Sequence, residues 1–510
     1  MRIVDYLDKG ASLGPNRACL TTEGRSLSYA DVVDTSYAVA AALAGSGVVA
    51  GDKVAIISSN DPVAFSCVFG ISRAGAVWCP INPRNEAAEN RELLALFDCA
   101  TVIFKSSYTD LVARIRDDLP AVRTWVCFDA QVEGALTWDA FVARGEGASR
   151  VDRAAVDDLA MIAGTGGTTG RPKGVMLSGR NLETMSALTL MGYPFDGRPV
   201  YLALAPLTHA AGVLCFPVLA RGGEIVIMRA PDVGEFLGLI ERHRVTHTFL
   251  PPTLIYMVLG HEALGATDLG SLQCFWYGAA PMSAARLEEA LTRIGPMAQL
   301  FGQTEAPMMI SMMPPADHYR ADGSVATEKL SSAGRPAPLV TVGIMDEAGA
   351  LLPLGERGEI VVRSSLVTPG YYKDPEATAA ASTHGWHHTG DIGYVDADNF
   401  LFIVDRAKDM IISGGFNVYS TEVEQAVLSH PDVQDCAVIG LPDEKWGERV
   451  VAVVQPQPGK LIDGGELTAY VKGLIGSVKA PKQVEVWPDL PRSKVGKVVK
   501  TDIKAALTGG

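Results

Sequence analysis

The chain has 510 residues and a net charge of −14, with 48% hydrophobic and 20% charged residues, which is an ordinary composition for a globular protein of several domains. The acidic balance argues against a nucleic-acid partner, which needs a basic face, although a local basic pocket for a phosphate is still allowed. Its eight cysteines include no CxxC pair, so we expect buried thiols in the reducing cytoplasm rather than disulfides or zinc ligands.

The first part of the chain alternates predicted helices and strands. A helix begins at Ser28 and ends near Gly47. After this helix, the order strand–helix–strand recurs at similar spacing. This alternation predicts parallel sheets with helices on their faces. The predicted elements are the strands Lys53–Ile57, Ala76–Pro80, Glu224–Met228 and Thr246–Leu250 and the helices Pro62–Arg73 and Val233–His243.

A glycine-rich stretch, AGTGGTTGRPKGVML, occupies residues 163–177. It fits neither the Walker loop, which needs glycine directly before the lysine, nor the GxGxxG dinucleotide loop. Glycine amides with the hydroxyls of Thr165, Thr168 and Thr169 are suited to phosphate oxygens, and Arg171 and Lys173 add positive charge. The composition alone leaves a flexible surface loop as the alternative.

Residues 199–220 are nearly uncharged and long enough to span a membrane. Pro206, Gly212 and Pro217 interrupt the stretch, so we predict a buried strand, a turn at Pro206 and a core helix that ends before Arg221. We therefore expect no transmembrane segment. The N-terminal residues also lack the apolar core of a signal peptide.

The pattern changes after about residue 340. Shorter, turn-rich strands predict a small antiparallel barrel or meander at about 335–405, and a compact α+β unit follows residue 406. We accordingly divide the chain into domains at 1–405 and 406–510. The elements predicted in the second domain are the helices Ser420–Ser429 and Glu466–Gly473 and the strands Cys436–Ile439, Val450–Val454 and Gln483–Val486.

TGGTTGRPKG resembles the signature loop of the adenylate-forming enzymes, which include acyl- and aryl-CoA synthetases, firefly-type luciferases and the adenylation domains of peptide synthetases. The resemblance continues, in order, through PLTHAAG (206–212), YGAAPMS (277–283), FGQTE (301–305), GEIVVRS (358–364), GYYKDPEAT (370–378), HTGD (388–391), DRAKDMIISGGFNVYSTEVE (405–424) and PRSKVGK (491–497). It implies an α/β fold in which stacked mixed sheets and a β-barrel-like subdomain form a large N-terminal lobe, followed by a small mobile α+β C-terminal domain.

The implied reaction uses ATP, Mg²⁺ and coenzyme A. A carboxylate attacks the α-phosphate of ATP to give an acyl-adenylate and pyrophosphate, and a thiol then displaces AMP to give a thioester. We expect a cytoplasmic ligase with a small-molecule carboxylic acid and coenzyme A as partners and no nucleic acid, and we leave a homodimer open. Loading of a separate carrier protein and a non-catalytic nucleotide-binding role are the alternatives.

The family pattern assigns nucleotide contacts residue by residue. Glu305 would bind magnesium, because a hard cation prefers oxygen ligands, and Thr304 would reach a phosphate. Asp391 and Arg406 would hold the ribose hydroxyls. The residues that would hold the β- and γ-phosphates are Thr165, Thr168, Thr169 and Lys173, and the adenine side would comprise Gly278, Ala279, Ala280 and Phe301. The other residues expected to bind the cofactor are Gly166, Gly167, Gly170, Gly302 and Gln303.

The resemblance places the catalytic lysine at Lys497, where it would neutralise charge at the α-phosphate and carboxylate. From composition alone it would be one exposed lysine among several. Lys408 would be the pivot about which the C-terminal domain rotates. Gly414 and Gly415 would line the pantetheine tunnel, although Gly-Gly is also typical of a plain β-turn.

Two positions depart from the family pattern. Gly166 replaces the usual loop serine, which removes a hydroxyl donor to phosphate, and Thr208 replaces a bulky aromatic before the histidine. His209 would lie at the floor of the acid site, with a satisfied core histidine as the alternative.

The residues near this point indicate the class of acid. In the amino-acid-adenylating members of the family, an aspartate in this region holds the substrate ammonium; residues 208–212 include no acidic side chain, so the resemblance argues against an amino acid as substrate. The apolar residues nearby favour a fatty, aryl or polycyclic acid, although any protein core contains such residues, and Gly278, Ala279, Ala280 and Ala306 allow bulk. Those apolar residues are Leu204, Val213, Phe216, Trp276, Tyr277, Met282, Met308 and Met309.

Overall fold

The computed structural model describes residues 1–147, 150–154, 158–165, 172–207, 210–406, 409–493 and 498–508. Its strands in these ranges are β1 (Ala18–Thr22), β2 (Arg25–Ser28), β3 (Lys53–Ile57), β4 (Val77–Ile81), β5 (Cys99–Phe104), β6 (Thr124–Cys127), β7 (Leu136–Thr137), β8 (Leu159–Thr165), β9 (Lys173–Ser178), β10 (Val200–Ala203), β11 (Glu224–Ile227), β12 (His247–Leu250), β13 (Cys274–Gly278), β14 (Met297–Gln303), β15 (Ala306–Met313), β16 (Arg335–Pro336), β17 (Thr341–Met345), β18 (Gly358–Arg363), β19 (His387–Val395), β20 (Leu401–Arg406), β21 (Ile411–Ser413), β22 (Phe416–Val418), β23 (Val433–Asp443), β24 (Gly447–Pro456) and β25 (Gln483–Val486).

The α-helices in the same ranges are α1 (Ile3–Leu13), α2 (Tyr29–Gly45), α3 (Pro62–Arg73), α4 (Ala87–Leu96), α5 (Thr109–Ile115), α6 (Trp138–Ala143), α7 (Gly179–Gly192), α8 (Ala210–Ala220), α9 (Val233–His243), α10 (Pro252–Leu259), α11 (Ala284–Arg293), α12 (Pro375–Ala380), α13 (Ser420–Leu428), α14 (Gly464–Lys479) and α15 (Lys500–Thr508). Side-chain caps start several of them. The Ser28 hydroxyl accepts from the Asp31 amide at the start of α2, and Asp61 caps α3 ahead of Pro62.

Two large mixed sheets form the N-terminal lobe. Within the described residues, one sheet has the strand order β16-β15-β14-β13-β12-β10-β11-β1-β2 and the other β7-β6-β5-β3-β4-β8-β9. Their inner strands are parallel, and antiparallel hairpins such as β8–β9 and β14–β15 lie at the edges. Parallel strands need crossover connections, which the intervening helices provide.

The main hydrophobic core lies between the two large sheets. Along β3, Val54 and Ile56 join this core, whereas Ala55 and Ile57 join a separate cluster on the far side of the sheet. Successive side chains of a strand point to opposite faces of the sheet. Because both faces are buried, the sequence of such a strand is a continuous apolar run. The helices α1, α2, α3, α7 and α8 pack against one another in the layer between the sheets.

The predicted antiparallel region is a meander. The strands β17, β18, β19 and β20 pair in sequence order among the described residues, so of the two predicted alternatives, barrel and meander, the structure has the meander. Beyond it, β21, β22, β23, β24 and β25 form a mixed sheet that packs against α13, α14 and α15. This second region has the α+β character expected for residues after 406.

Most predicted elements are confirmed within a residue or two. The apolar stretch 199–220 contains the short strand β10 and the core helix α8, as expected, and no helix among the described residues has the length and apolar character that crossing a bilayer requires. All eight cysteines are free and buried, as predicted. Larger differences occur in the C-terminal sheet, where β23 and β24 form a long hairpin that extends beyond the predicted strands.

Candidate active site

The segment FGQTE forms the end of a tight hairpin. Gln303, the last residue of β14, pairs with Ala306, the first residue of β15, so Thr304 and Glu305 make up the two-residue connection at its tip. This connection holds the predicted phosphate contact and the predicted magnesium ligand next to each other. Gly302 is required behind the tip, because a Cβ there would lie 2.4 Å from the backbone nitrogen of Met308.

The predicted adenine-side residues lie beside this hairpin. Gly278 ends β13 and pairs with Leu300 of β14, the residue before Phe301. A Cβ at Gly278 would lie 2.4 Å from the Leu300 carbonyl oxygen, so the two strands approach closely only because this residue is glycine. Ala279 and Ala280 follow directly at the carboxyl end of the strand, where ligands bind in open parallel sheets.

Two non-glycine residues near this point have left-handed backbone conformations. Ala279 has φ +66° and Met308 has φ +65°. Such a conformation costs about 1–2 kcal/mol for a residue with a Cβ, and such strain concentrates at functional sites.

Across the site, the strands β8 and β9 frame the glycine-rich loop. Thr165 pairs with Lys173 at the end of this antiparallel hairpin where the two strands are connected. The Lys173 ammonium lies 4.8 Å from the centroid of the Tyr371 ring, within the range of a cation–π contact. The predicted phosphate residues Gly166, Gly167, Thr168, Thr169 and Gly170 lie outside the described residues.

The segment 368–372 joins the two hairpins. The Thr368 amide donates to the Glu305 carbonyl at 2.7 Å, and the Thr368 hydroxyl donates to the Met176 carbonyl of β9 at 2.5 Å. The Tyr371 hydroxyl donates to Glu305 Oε1 at 2.8 Å. Burial and the adjoining Glu305 carboxylate both raise the pKa of Tyr371, so this hydroxyl stays protonated and acts as a donor.

The motif GYYKDPEAT did not by itself predict a role for Tyr371. The sequence signal for a role of Tyr371 is its place in this motif, where two adjacent tyrosines follow a glycine. The contact to Glu305 spans 66 residues of chain and is set by tertiary structure.

Asp391 and Arg406, the predicted ribose pair, face each other on β19 and β20. Arg406 Nε lies 2.7 Å from Asp391 Oδ1, and the carboxylate is buried while half of the Arg406 side chain is exposed. The structure therefore brings these two residues together. The strand β19 also contacts the FGQTE hairpin, because Gln303 Nε2 donates to the Thr389 carbonyl at 3.3 Å.

His387 is a further polar neighbour of the hairpin. Its Nε2 lies 3.2 Å from Gln303 Oε1. Burial lowers the pKa of His387, and the charge of Glu305 acts in the opposite direction. A neutral imidazole that donates to Gln303 orients the amide of that side chain, which in turn joins β14 to β19.

The residues present suit a magnesium ion held jointly with a nucleotide. The described residues contain no group of three or more His, Cys, Asp or Glu side chains that could enclose a metal on its own. Glu305 offers a carboxylate beside the phosphate hairpin. Mg²⁺ is commonly held by one or two carboxylates together with substrate phosphates and waters, so a single protein carboxylate is sufficient here.

The C-terminal region meets the meander through a buried polar cluster. Ser420, at the start of α13, donates its hydroxyl to Asp405 Oδ1 at 2.9 Å, and its amide donates to the other Asp405 oxygen. Lys500 of α15 donates to the Ser420 hydroxyl at 2.6 Å and pairs with Glu424 at 2.7 Å. Burial opposes the charge of Lys500, but the nearby carboxylates, Glu424 foremost, raise its pKa.

Three predicted functional residues, His209, Lys408 and Lys497, lie outside the described residues. Gly414 and Gly415 are described: they form the exposed turn between β21 and β22, with φ +60° and +79°. The turn geometry requires glycine at both, which the plain β-turn reading also predicts.

The apolar residues named as acid-site candidates divide between two clusters. Trp276 and Tyr277 are adjacent on β13 and therefore point to opposite faces of the sheet. The eight apolar candidates therefore cannot all line one pocket. Val213, Phe216, Trp276, Met308 and Met309 face the core between the large sheets, whereas Leu204, Tyr277 and Met282 lie on the far side.

Comparisons with known proteins identify the family of this chain. Residues 7–372 match the family model of the AMP-binding enzyme, and residues 422–497 match that of the AMP-binding enzyme C-terminal domain. The chain is 40% identical over 362 residues to the medium/long-chain-fatty-acid–CoA ligase FadD8 of Mycobacterium tuberculosis, an alignment that covers 69% of this chain and 62% of that protein.

Two further similarities extend over the full length. A feruloyl-CoA synthase of Amycolatopsis sp is 35% identical over 97% of this chain and 96% of its own. The amide bond synthetase McbA from Marinactinospora thermotolerans superposes with a TM-score of 0.90 and 31% identity, covering 99% of both chains.

Proposed function

This chain belongs to the AMP-binding enzyme family, and from that premise we propose that it is an ATP-dependent acid–thiol ligase that converts a hydrophobic carboxylic acid to its coenzyme A thioester. The observation that carries the proposal is the assembly around the hairpin tip. Glu305, Lys173 and the pair Asp391–Arg406 come from separate parts of the chain and are joined through Tyr371 and Gln303.

In the first step, a carboxylate oxygen of the acid attacks the α-phosphorus of ATP, and the bond to pyrophosphate breaks. Like unit charges ~4 Å apart repel by roughly 4 kcal/mol at an effective dielectric of 20. Lys173, Thr165 and the loop beyond it would hold the β- and γ-phosphates, and Lys497 would neutralise charge at the reacting centre. In the second step, the thiolate of coenzyme A attacks the acyl carbon and AMP leaves.

Glu305 and the phosphates would hold Mg²⁺, which would neutralise part of the triphosphate charge. Asp391 can accept hydrogen bonds from ribose hydroxyls while Arg406 fixes the orientation of its carboxylate. Gly278, Ala279 and Ala280, at the end of β13, would lie against the adenine ring.

Relatives support the substrate class and the acceptor. FadD8 is named for medium- and long-chain fatty acids and the feruloyl-CoA synthase for an aryl acid, and both names specify coenzyme A. The similarity to an amide bond synthetase makes an amine acceptor the candidate to be tested against the thiol. We propose a cytoplasmic enzyme, since all eight cysteines are buried free thiols, which suits a reducing compartment.

A panel of fatty, aryl and polycyclic carboxylic acids tests the proposal. Each acid is incubated with ATP and Mg²⁺, with and without coenzyme A, and pyrophosphate, AMP and thioester are measured separately. We expect pyrophosphate release with at least one acid and AMP and thioester release that depend on coenzyme A. Release of AMP only with a carrier protein or an amine would reassign the acceptor, and no acid-dependent pyrophosphate exchange would contradict the whole proposal.

A further inference from the structure

One tyrosine contacts both charged groups that the proposed function assigns to the triphosphate and its metal. The edge of Tyr371 carries the hydroxyl that donates to Glu305 Oε1 at 2.8 Å. Its ring face lies 4.8 Å from the ammonium of Lys173. The side chain therefore contacts a carboxylate through its edge and a cation through its ring face.

The backbone around this ring is fixed on both sides. Tyr371 forms an isolated antiparallel bridge with Val175 of β9, and its amide donates to the Thr378 hydroxyl at 2.9 Å. Gly370, just before it, packs so closely against Thr378 that a Cβ would lie 2.5 Å from the threonine methyl. The backbone that carries the ring is thus held by β9 and by Thr378 of α12.

The neighbouring residue makes an equivalent contact elsewhere. The Tyr372 hydroxyl donates to Asp98 Oδ2 at 3.0 Å, and its ring lies 5.0 Å from the Lys53 ammonium. Both residues of that second pair belong to the seven-stranded sheet region and have no role in the proposed site. The chain therefore contains a matched control one residue away from Tyr371.

We propose that Tyr371 is a positioning residue that orients both Glu305 and Lys173, so that the carboxylate is ready for magnesium and the ammonium for phosphate. The inference rests on the proposed function. The Tyr371 hydroxyl would orient Glu305, and the Tyr371 ring face would orient Lys173. Substitutions that remove the hydroxyl alone or the whole ring therefore separate these two effects. Without this side chain, the Glu305 carboxylate and the Lys173 ammonium would both lose a contact that orients them before the nucleotide binds.

The experiment measures nucleotide binding by calorimetry without acid or coenzyme A, so that no turnover takes place. Wild type, Tyr371→Phe, Tyr371→Leu and Tyr372→Phe are each titrated with ATP in excess Mg²⁺ and with ATP in a chelator. We expect Tyr371→Phe to weaken binding of the magnesium complex by about tenfold, in line with loss of one hydrogen bond to a charged group, and to change chelated ATP little. Tyr371→Leu should weaken both, and Tyr372→Phe should match wild type.

A second measurement separates positioning from general support of the fold. In turnover, the rate of Tyr371→Phe should recover at high Mg²⁺, with an unchanged thermal unfolding midpoint. The inference is overturned if Tyr371→Phe binds the magnesium complex like wild type, or if Tyr372→Phe loses as much as Tyr371→Phe. Failure of the wild type to bind either form of ATP would instead overturn the proposed function.

Discussion

Asp391 and Arg406 occupy directly opposed positions on β19 and β20, and their side chains form an ion pair with 2.7 Å between Oδ1 and Nε. Arg406 is also the last residue of β20, at the predicted boundary between the two domains. The pair proposed to hold ribose therefore lies where the two parts of the chain meet. The predicted rotation of the C-terminal domain would therefore start next to the proposed nucleotide site.

Replacing Asp391 by Asn should raise the dissociation constant for ATP at least tenfold. The change removes a charged acceptor for the ribose hydroxyls and the charge that orients Arg406, and hydrogen bonds to charged groups are worth about 1.5–3 kcal/mol. Equilibrium titration with ATP measures the effect. Asp398→Asn, in the exposed turn between the same two strands, removes one charge of the same sign and should leave ATP binding unchanged. Equal weakening in both variants would argue against the ribose role.

Replacing Lys497 by Ala should abolish activation of the acid while ATP binding persists. A preorganised cation at the site of developing charge contributes roughly 10²–10³-fold to the rate, because it acts mainly in the transition state. Acid-dependent pyrophosphate exchange and ATP titration measure the two effects separately. Lys504→Ala removes an exposed lysine of α15 and serves as the control. Undiminished exchange in Lys497→Ala would refute the assigned role.

Replacing Gly302 by Ala should distort the FGQTE hairpin. The added Cβ would meet the Met308 backbone nitrogen at 2.4 Å and the Ala306 carbonyl oxygen at 2.7 Å, neither of which belongs to a movable side chain. Such overpacking destabilises by about 1–3 kcal/mol. Thermal unfolding and ATP titration should both show a loss. Gly473→Ala places the same methyl in open space on α14, where it should be neutral or slightly stabilising.

Breaking the polar cluster at the domain junction should loosen the C-terminal region. Lys500→Met leaves the largely buried carboxylates of Glu424 and Asp405 without their cation. Breaking a fully buried pair costs about 3–5 kcal/mol, and the partial exposure of Lys500 reduces this to about 2 kcal/mol. Faster proteolysis at the junction is the expected readout. Lys479→Met, which breaks a more exposed pair with Glu422, should cost less.

Stability should fall as the pH drops from 6.5 to about 4. Burial lowers the pKa of His247 and of His318 from the ordinary 6.5 to about 4. Between these two pH values the unfolded chain binds protons at the two histidines and the folded chain does not. The stabilisation from the neutral histidines is therefore complete above pH 6.5 and is lost between pH 6.5 and about 4. Below about pH 4 these two groups cause no further change in stability. The loss is up to about 3 kcal/mol for each histidine.

His318→Gln tests this pH dependence. His318 accepts from the Tyr277 hydroxyl through Nε2 and donates from Nδ1 to the Pro314 carbonyl in its neutral form. Unfolding midpoints measured from pH 7.5 to 4 should decline less steeply in the variant than in wild type. Parallel curves for the two proteins would show that this imidazole does not titrate on unfolding.

The sequence by itself determined the family, the order of the elements and the types of residue available for chemistry. Strands such as Lys53–Ile57 and helices such as Pro62–Arg73 were predictable because periodicity and capping are local properties, readable within a dozen residues. The ordered motifs predicted the proposed ATP-binding residues in the same way, since each motif is a short contiguous segment.

Only the tertiary structure decided which of those segments meet, and through which side chains. Tyr371 contacts Glu305 and Lys173 because a loop, a hairpin tip and a strand from distant parts of the chain converge. Trp276 and Tyr277, adjacent in sequence, belong to opposite faces because strand side chains alternate. Such contacts depend on how whole sheets stack and in which register, and short-range patterns carry no information about distances between segments that lie far apart in the sequence.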